Sequence, residues 1–179
     1  MIEESEHLGA ESYILIVDDD DTLLKFFKIH LNTIFPKVMV VKNAKEAIEA
    51  LREREYDLVV TDINMPRMNG FDLMKRIRRK DISLPILLVS GALLEPEEEK
   101  IIEESDGYLR KPFDMEELHK FIVRGLSLRV KMKKLVELVD DDKKMRKLIK
   151  GKIKLEKVVK EEENLALAQE LLKEVYDVA

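Results

Sequence analysis

The stretch DLVVTDINMPRMNGFDLMKRIRRK (residues 57–80) contains the repeating unit of the fold. It begins with a short run rich in β-branched residues. This run lacks the apolar–polar alternation of a half-exposed strand and is typical of a strand buried on both faces. A loop punctuated by proline and glycine follows, and GFDLMKRIRRK (70–80) has the pattern of a helix. A buried strand that leads into a helix indicates one β–α unit of a parallel sheet.

Similar units occur on both sides of this stretch, and together they predict a doubly wound α/β domain with a five-stranded parallel sheet. The first helix is predicted from the i, i+3, i+4, i+7, i+8 spacing of a buried stripe, which would place His30 in the core. The members of this stripe are Leu23, Phe26, Phe27, His30 and Leu31. The other predicted strands are YILIV (13–17), KVMVV (37–41), PILLVS (85–90) and GYLR (107–110), and the other predicted helices cover 43–55, 95–105 and 114–128.

The composition excludes several classes of protein. The chain has no cysteine, so it contains neither a disulfide nor a thiolate metal site. No apolar run approaches the roughly 20 residues of a membrane span. The opening segment MIEESEHLGAES is acidic, unlike a signal or transit peptide, and we expect residues 1–11 to form a flexible tail. A cytoplasmic location is the simplest expectation.

The last third of the chain differs in pattern and in charge. Residues 1–124 hold 18 Lys and Arg against 26 Asp and Glu, whereas residues 125–179 hold 14 against 11. No further strand is evident after Arg124, so we predict an all-α region over residues 125–179, with breaks at 140–142, Gly151 and 161–164. The fifth helix is expected to continue to about Asp140, because only Gly125 interrupts its pattern.

Polar side chains follow the predicted strands at one edge of the sheet. Asp18 and Asp19 follow the first strand, Asp62 ends the third, Ser90 ends the fourth, and Lys111 follows the fifth. Ligands of doubly wound sheets bind at the carboxyl ends of the strands. Three carboxylates remain ionised together only with a cation among them, and hard oxygen ligands favour Mg²⁺. With the lysine and the hydroxyl, they predict a phosphoryl-transfer site in which Asp62 is the nucleophile.

Over residues 12–124 the sequence resembles the receiver domains of two-component response regulators, which have a flavodoxin-like fold. The resemblance is carried, in order, by ILIVDDD, TDINMPRMNGFDL, ILLVSG and GYLRKPF, although Gly91 stands where the family commonly has alanine. It implies a phosphoprotein that accepts a phosphoryl group from a sensor histidine kinase and catalyses only its own phosphorylation and dephosphorylation. The resemblance implies that Asp62 is the phosphoacceptor and that Asp18, Asp19, Asp62 and the Asn64 backbone carbonyl bind Mg²⁺. It implies catalytic roles for Lys111 and Ser90 and a switching role for Ser90 and Tyr108. It further implies that the kinase docks at Leu24 and that the peptide bond before Pro112 is cis.

A second interpretation of the first acidic motif is a phosphatase of the haloacid dehalogenase type. ILIVDDDDT also fits a D-x-D-x-T signature, with Asp18 as nucleophile, Asp20 as acid and base, and Thr22 behind them. Such enzymes require an acidic pair on a later strand, and no strand is predicted after Lys111. The signature also leaves TDINMPRMNG (61–70) without a role, so the receiver interpretation is favoured.

The function of the C-terminal region is open between two classes. Residues 143–160 hold nine Lys and Arg against one Glu, which is compatible with contacts to the phosphates of DNA. However, the region shows no helix-turn-helix signature, and the whole chain carries a net charge of −5. We therefore favour dimerisation or docking of another signalling protein over binding of nucleic acid.

Overall fold

A five-stranded parallel sheet forms the centre of the protein in the computed structural model, which describes residues 11–93, 95–139, 142–149 and 162–178. The strands are β1 (Ile14–Val17), β2 (Val38–Val41), β3 (Leu58–Asp62), β4 (Ile86–Ser90) and β5 (Gly107–Arg110). All neighbouring strands pair in parallel, in the order β2-β1-β3-β4-β5. The doubly wound fold is therefore confirmed. Residues 1–10 of the predicted tail and the break at Gly151 lie outside the described residues.

Helices cover both faces of this sheet and continue beyond it. On one face, Leu15, Val59 and Leu88 of the strands pack against Ala47 and other residues of the second and third helices. On the opposite face, Ile14 and Leu58 pack against the first and fifth helices. The helices are α1 (Asp21–Leu31), α2 (Ala44–Glu53), α3 (Gly70–Lys80), α4 (Pro96–Ile102), α5 (Met115–Val139), α6 (Asp142–Ile149) and α7 (Glu162–Val178). No helix in the described part of the chain is long and apolar enough to cross a membrane.

The buried stripe of α1 differs from the predicted one. Leu24, Phe27 and Leu31 are buried, whereas His30 is exposed and its Nδ1 lies 2.9 Å from the Phe26 carbonyl oxygen. The sequence LLKFFKIHL places apolar side chains on two adjacent helix faces, and packing selects the face that contains Leu24. The core position predicted for His30 is therefore wrong. The docking role predicted for Leu24 is wrong as well, because only 4% of its surface is exposed.

Helix α5 is continuous for 25 residues, as expected. It begins with reciprocal bonds: the Glu117 N–H donates to Asp114 Oδ1 at 2.8 Å, and the Asp114 N–H donates to Glu117 Oε2 at 3.0 Å. Gly125 lies against the sheet, and a Cβ atom there would be 2.6 Å from Leu58 Cδ1. The missing side chain allows the helix to approach β3 closely.

We expect Gly125→Leu to destabilise the fold by about 1–3 kcal/mol, because it overpacks this contact. Urea denaturation measures the change in the free energy of unfolding. Arg124→Leu is the matched control, since Arg124 is exposed on the same helix. Equal stability of the two variants would contradict the close packing of α5 on β3.

The second half of α5 forms a third core with the C-terminal helices. Leu128, Met132 and Leu135 of α5 pack there with Met145 of α6 and Ala168 of α7, and Lys131 pairs with Glu174 at 2.9 Å. Where the structure describes it, the C-terminal region is helical as predicted, and α7 contributes the buried side chains of Ala168 and Leu171 to this cluster. The partly buried members of the cluster are Val136 and Leu138 of α5 and Leu165, Leu172 and Val175 of α7.

A buried arginine connects α5 to the end of the sheet where the strands begin. Arg129 is 5% exposed, and its Nη2 lies 3.0 Å from Asp81 Oδ2, while its Nη1 donates to Ser83 Oγ. Asp57 lies 3.9 Å from Arg129 Nε and also pairs with Lys133 at 3.0 Å. We call these five residues the Arg129 network. Burial raises the pKa of Asp81, but the hydrogen bond and charge of Arg129 outweigh this and lower the pKa overall.

Candidate functional site

Two buried carboxylates lie side by side at the carboxyl edge of the sheet. The register pairs Val17 of β1 with Thr61 of β3, so the next residues, Asp18 and Asp62, become neighbours. They are 3% and 6% exposed, respectively. Lys111 Nζ donates to Asp18 Oδ2 at 2.7 Å and to Asp62 Oδ1 at 2.9 Å. The structure thus brings together three of the predicted site residues.

The position of Lys111 is fixed by its backbone. The Lys111 N–H donates to the Ser90 carbonyl at 2.8 Å, which extends the pairing of β5 with β4 by one residue. The Lys111–Pro112 peptide is cis, as the family resemblance implied. From the end of β5 the side chain reaches across to the carboxylates that follow β1 and β3.

Burial and neighbouring charges shift the pKa values of Asp62 and Lys111 at this site. Burial raises the pKa of Asp62, and the Asp18 charge acts in the same direction against the opposing effect of Lys111. Burial lowers the pKa of Lys111, but the hydrogen bonds to Asp18 and Asp62 outweigh it, so the pKa is raised overall. Lys111 therefore carries its positive charge at neutral pH, and the ionised Asp62 is held at a cost in free energy.

The loop after β3 holds Asp62 in one orientation. The Asn64 N–H donates to Asp62 Oδ2 at 2.8 Å, and Asn64 Nδ2 donates to Ser90 Oγ at 3.0 Å. Asn69 caps α3 by accepting the Asp72 N–H at 2.8 Å. At Gly70 a Cβ atom would be only 2.3 Å from the Asp62 carbonyl oxygen. The stiff loop and its glycine therefore allow the chain to turn back onto the strand end.

Substitution by alanine should have very different effects on stability at two glycines near the site. Gly70→Ala should destabilise the fold by about 2 kcal/mol or more, because the new methyl group meets backbone that cannot give way. Gly91→Ala should change stability by less than about 0.5 kcal/mol, since its Cβ would lie 3.6 Å from Lys111 Cβ, an ordinary contact. Thermal unfolding of both variants measures the difference, and similar melting temperatures would contradict the close approach at Gly70.

Ser90 and Tyr108 lie on the strands next to this pair. Ser90 is fully buried at the end of β4, and its Oγ also accepts the Ala92 N–H at 3.2 Å. Tyr108 is half-buried opposite Leu88 and packs against the core on the α2–α3 face. Between Ser90 and β5, α4 is short at seven residues, and none of its side chains is fully buried.

The predicted metal ligands are only partly assembled. Asp18 Oδ1 accepts the Asp20 N–H at 2.9 Å, a turn that leaves Asp19 exposed while Asp18 points inward. Within the described residues, no three His, Cys, Asp or Glu side chains gather closely enough to hold a metal ion. The donor chemistry of Asp18 and Asp62 fits Mg²⁺, because both supply hard carboxylate oxygens. Asp19 is the predicted ligand that is not brought to them.

The geometry does not support the phosphatase interpretation. Asp20, its proposed acid and base, is exposed and accepts the N–H groups of Thr22 and Leu23 at 2.8 and 3.1 Å as the N-cap of α1. The described residues after Lys111 form helices only, so the required acidic pair on a later strand is missing there.

Comparison with known families identifies the class of protein. The family described as the response regulator receiver domain matches residues 14–123. The match covers more than half of the chain and includes every strand and the site above. The chain belongs to the response regulator receiver domain family of two-component signalling.

Individual relatives agree with this family. Response regulator SaeR of Staphylococcus aureus is 30% identical over 124 residues, which cover 69% of this chain and 53% of SaeR. Autoinducer 1 sensor kinase/phosphatase LuxN of Vibrio harveyi is 34% identical over 99 residues, covering 55% of this chain and 12% of LuxN. The chain thus spans about half the length of one of these relatives and a small part of the other.

Solved structures share the fold. Chemotaxis response regulator CheY4 of Vibrio cholerae is 27% identical, with a TM-score of 0.58 over 64% of this chain and 98% of CheY4. The receiver domain of sensor histidine kinase PA1611 from Pseudomonas aeruginosa, solved with magnesium coordinated in its active-site cleft, is 23% identical. Its TM-score is 0.59, over 66% of this chain and 99% of that domain.

Sequence reasoning missed the side chain of Asn64 and the role of Gly70. Only the backbone carbonyl of Asn64 was assigned, whereas its amide group links the Asp62 loop to Ser90. The spacing of eight residues between Asp62 and Gly70 was a usable signal, because a loop that returns to its own strand end often needs a residue without a side chain.

Proposed function

We propose that the protein accepts a phosphoryl group from a sensor histidine kinase onto Asp62. The observation that carries this proposal is the buried pair of Asp18 and Asp62 with Lys111 between them, at 2.7 and 2.9 Å. Asp62 is the member of the pair that the loop holds through the Asn64 N–H. The chain would act as a signalling switch, with residues 12–124 as the receiver and residues 125–179 as the output region.

In the proposed transfer, an oxygen of the Asp62 carboxylate forms a bond to the phosphorus of a phosphohistidine. The bond from phosphorus to the imidazole nitrogen breaks, and its electron pair stays on the imidazole. The Lys111 ammonium group is placed to pair with a phosphoryl oxygen, and positioning with charge neutralisation supplies most of the catalysis in such reactions. Ser90 Oγ can donate to another phosphoryl oxygen once it leaves its contact with Asn64.

Bound Mg²⁺ would neutralise charge on the phosphoryl oxygens. We propose that it is held by the carboxylates of Asp18, Asp19 and Asp62 and by the Asn64 backbone carbonyl. The two buried carboxylates support this assignment. Asp19, which is exposed next to Asp18, would have to turn toward them.

Switching is proposed to pass through Ser90 and Tyr108 to the rest of the chain. Movement of Ser90 toward the phosphoryl group would leave space that the half-buried Tyr108 ring fills, shifting a two-state equilibrium. The continuous helix α5 links the sheet to the C-terminal helices. The output is proposed to be dimerisation or docking of a signalling protein, and DNA binding and cytoplasmic location stay predictions.

Tyr108→Ala should abolish any change in molecular size that phosphorylation produces, whereas Tyr13→Ala should not.

Mass spectrometry after treatment with acetyl phosphate tests the proposal. We expect a gain of one phosphoryl group that maps to Asp62, requires Mg²⁺ and does not form when the metal is chelated before acetyl phosphate is added. A group attached at any other position, or labelling that is unaffected by chelation, would contradict the proposed site.

A further inference from the structure

A groove lies between α2 and α3, at the edge of the sheet opposite Asp62. Its volume is about 770 Å³, within the range of ligand pockets in proteins. It is formed by the C-terminal ends of both helices and by the segments that lead into β3 and β4. The groove therefore shares no residue with the proposed phosphoryl site.

The rim of this groove is strongly basic. Only two acids line it, Glu55 and Asp81, and Asp81 already pairs with Arg129. Within the described ranges, no carboxylate lies within ion-pair distance of Arg52, Arg76 or Lys80. The chain as a whole is acidic, with a net charge of −5, so this concentration of positive charge is local. The basic residues of the rim are Arg52, Arg54, Arg76, Arg79 and Lys80.

The floor of the groove is aliphatic. Ile48 and Leu51 of α2 are half-buried there and supply its accessible apolar surface, while Ile77 of α3 and Leu84 are buried beneath them. Tyr56 also lines the groove, but its side chain is 2% exposed, so it presents no open ring face. Proteins that bind single-stranded nucleic acid commonly stack its bases on exposed aromatic rings. An aliphatic floor favours a ligand with aliphatic side chains instead.

The geometry points to a docking surface for an acidic amphipathic helix of a partner protein. Leucine-like side chains at positions i, i+4 and i+7 of that helix would lie on the aliphatic floor. Its flanking carboxylates would pair with the arginines of the rim, whose planar groups bind carboxylates well. A helix lying in a groove between two helices satisfies both the apolar floor and the charged rim, which a purely anionic small molecule would not.

Fluorescence anisotropy with designed peptides tests this inference. The probe is a labelled 16-residue peptide of Leu, Glu and Ala that forms an acidic amphipathic helix. We expect saturable binding that weakens at least tenfold in the double variant Arg52→Glu/Arg76→Glu. Both arginines are exposed, so the fold should persist, which circular dichroism checks. The double variant Lys25→Glu/Lys28→Glu makes the same charge change on α1, on the opposite face of the sheet, and should alter affinity less than twofold.

Three further probes separate the possible occupants: a scrambled peptide of the same composition, single-stranded DNA, and phosphatidylglycerol vesicles. The amphipathic peptide should bind more tightly than all three. Equal binding of the scrambled peptide, tighter binding of DNA or vesicles, or equal affinity in the double variant would each overturn the inference. Binding should be unchanged in Asp62→Asn, so the result is independent of the proposed phosphorylation.

Discussion

Arg129→Met is expected to lower the free energy of unfolding by about 2–3 kcal/mol at pH 7, less than the roughly 3–5 kcal/mol lost when a buried ion pair loses one partner. Methionine keeps most of the volume of the side chain but leaves Asp81 and Asp57 without the guanidinium group. The effect is reduced from that of a fully dry pair because the Asp81 side chain is 38% exposed. Urea denaturation measures it.

The free energy of unfolding that Arg129→Met removes should become smaller as the pH falls. The pKa of Asp81 is lowered in the folded protein, so its pairing stabilises the fold above the unfolded value of 3.8. This contribution is lost as the pH falls through the lowered folded value. The difference between the unaltered protein and Arg129→Met should therefore narrow below about pH 4.

Lys133→Met is the matched control for this prediction. It removes the other cation that pairs with Asp57, but the Lys133 side chain is 46% exposed. We expect a cost of less than about 1 kcal/mol, as for other exposed ion pairs. Equal costs for the two variants would show that the burial of Arg129 does not determine its contribution.

Asp62→Asn is expected to reduce phosphoryl labelling more than about 100-fold, since the nucleophile is removed. It should also stabilise the fold. The pKa of Asp62 is raised in the folded protein, so the contribution of this carboxyl group is full at low pH and is lost as the pH rises through the folded value. At pH 7 the charge is a cost that asparagine removes, within the roughly 0.5–2 kcal/mol common for stabilising substitutions.

Labelling by acetyl phosphate and thermal unfolding, measured on the same preparations, check both parts. Asp72→Asn is the control, because Asp72 is an exposed acid ten residues later, on α3. It should label normally and melt no higher than the unaltered protein. A labelled Asp62→Asn variant would refute the proposed acceptor. A lower melting temperature would show that the ion pair with Lys111 stabilises the fold by more than the buried charge of Asp62 destabilises it.

The sheet could be predicted from the sequence because its strands are short apolar runs with buried neighbours on both faces. LVVTD and ILLVS have no competing pattern, and β3 and β4 begin within one residue of the predicted positions. The ends of α5 could be predicted for a similar reason, since Asp114 caps one end and a run of three aspartates follows the other.

The packing of α1 could not be predicted, because two apolar faces of that helix fit its sequence equally well. Only tertiary contacts decide that Leu24, rather than His30, lies inside. The Arg129 network was out of reach for another reason. Arg129 and Asp81 are 48 residues apart, and nothing in the local pattern of either residue indicates a partner.

Much of the candidate site was predictable because parallel register places successive strand ends side by side. Once β1 and β3 are adjacent, Asp18 and Asp62 must meet. Where the side chains point was not predictable: a single turn at Asp20 directs Asp18 inward and Asp19 outward.

The uninterrupted course of α5 has a practical consequence for anyone who wishes to isolate the signalling module. A fragment that stops at residue 124 keeps the family match but omits Leu126, which is 1% exposed in the core beneath the sheet. It also lacks Arg129, so Asp81 is left without the guanidinium group that pairs with it. Excision after Val139 instead preserves both contacts, but it uncovers Leu128, Met132 and Leu135, the apolar side chains of α5 that pack against α6 and α7.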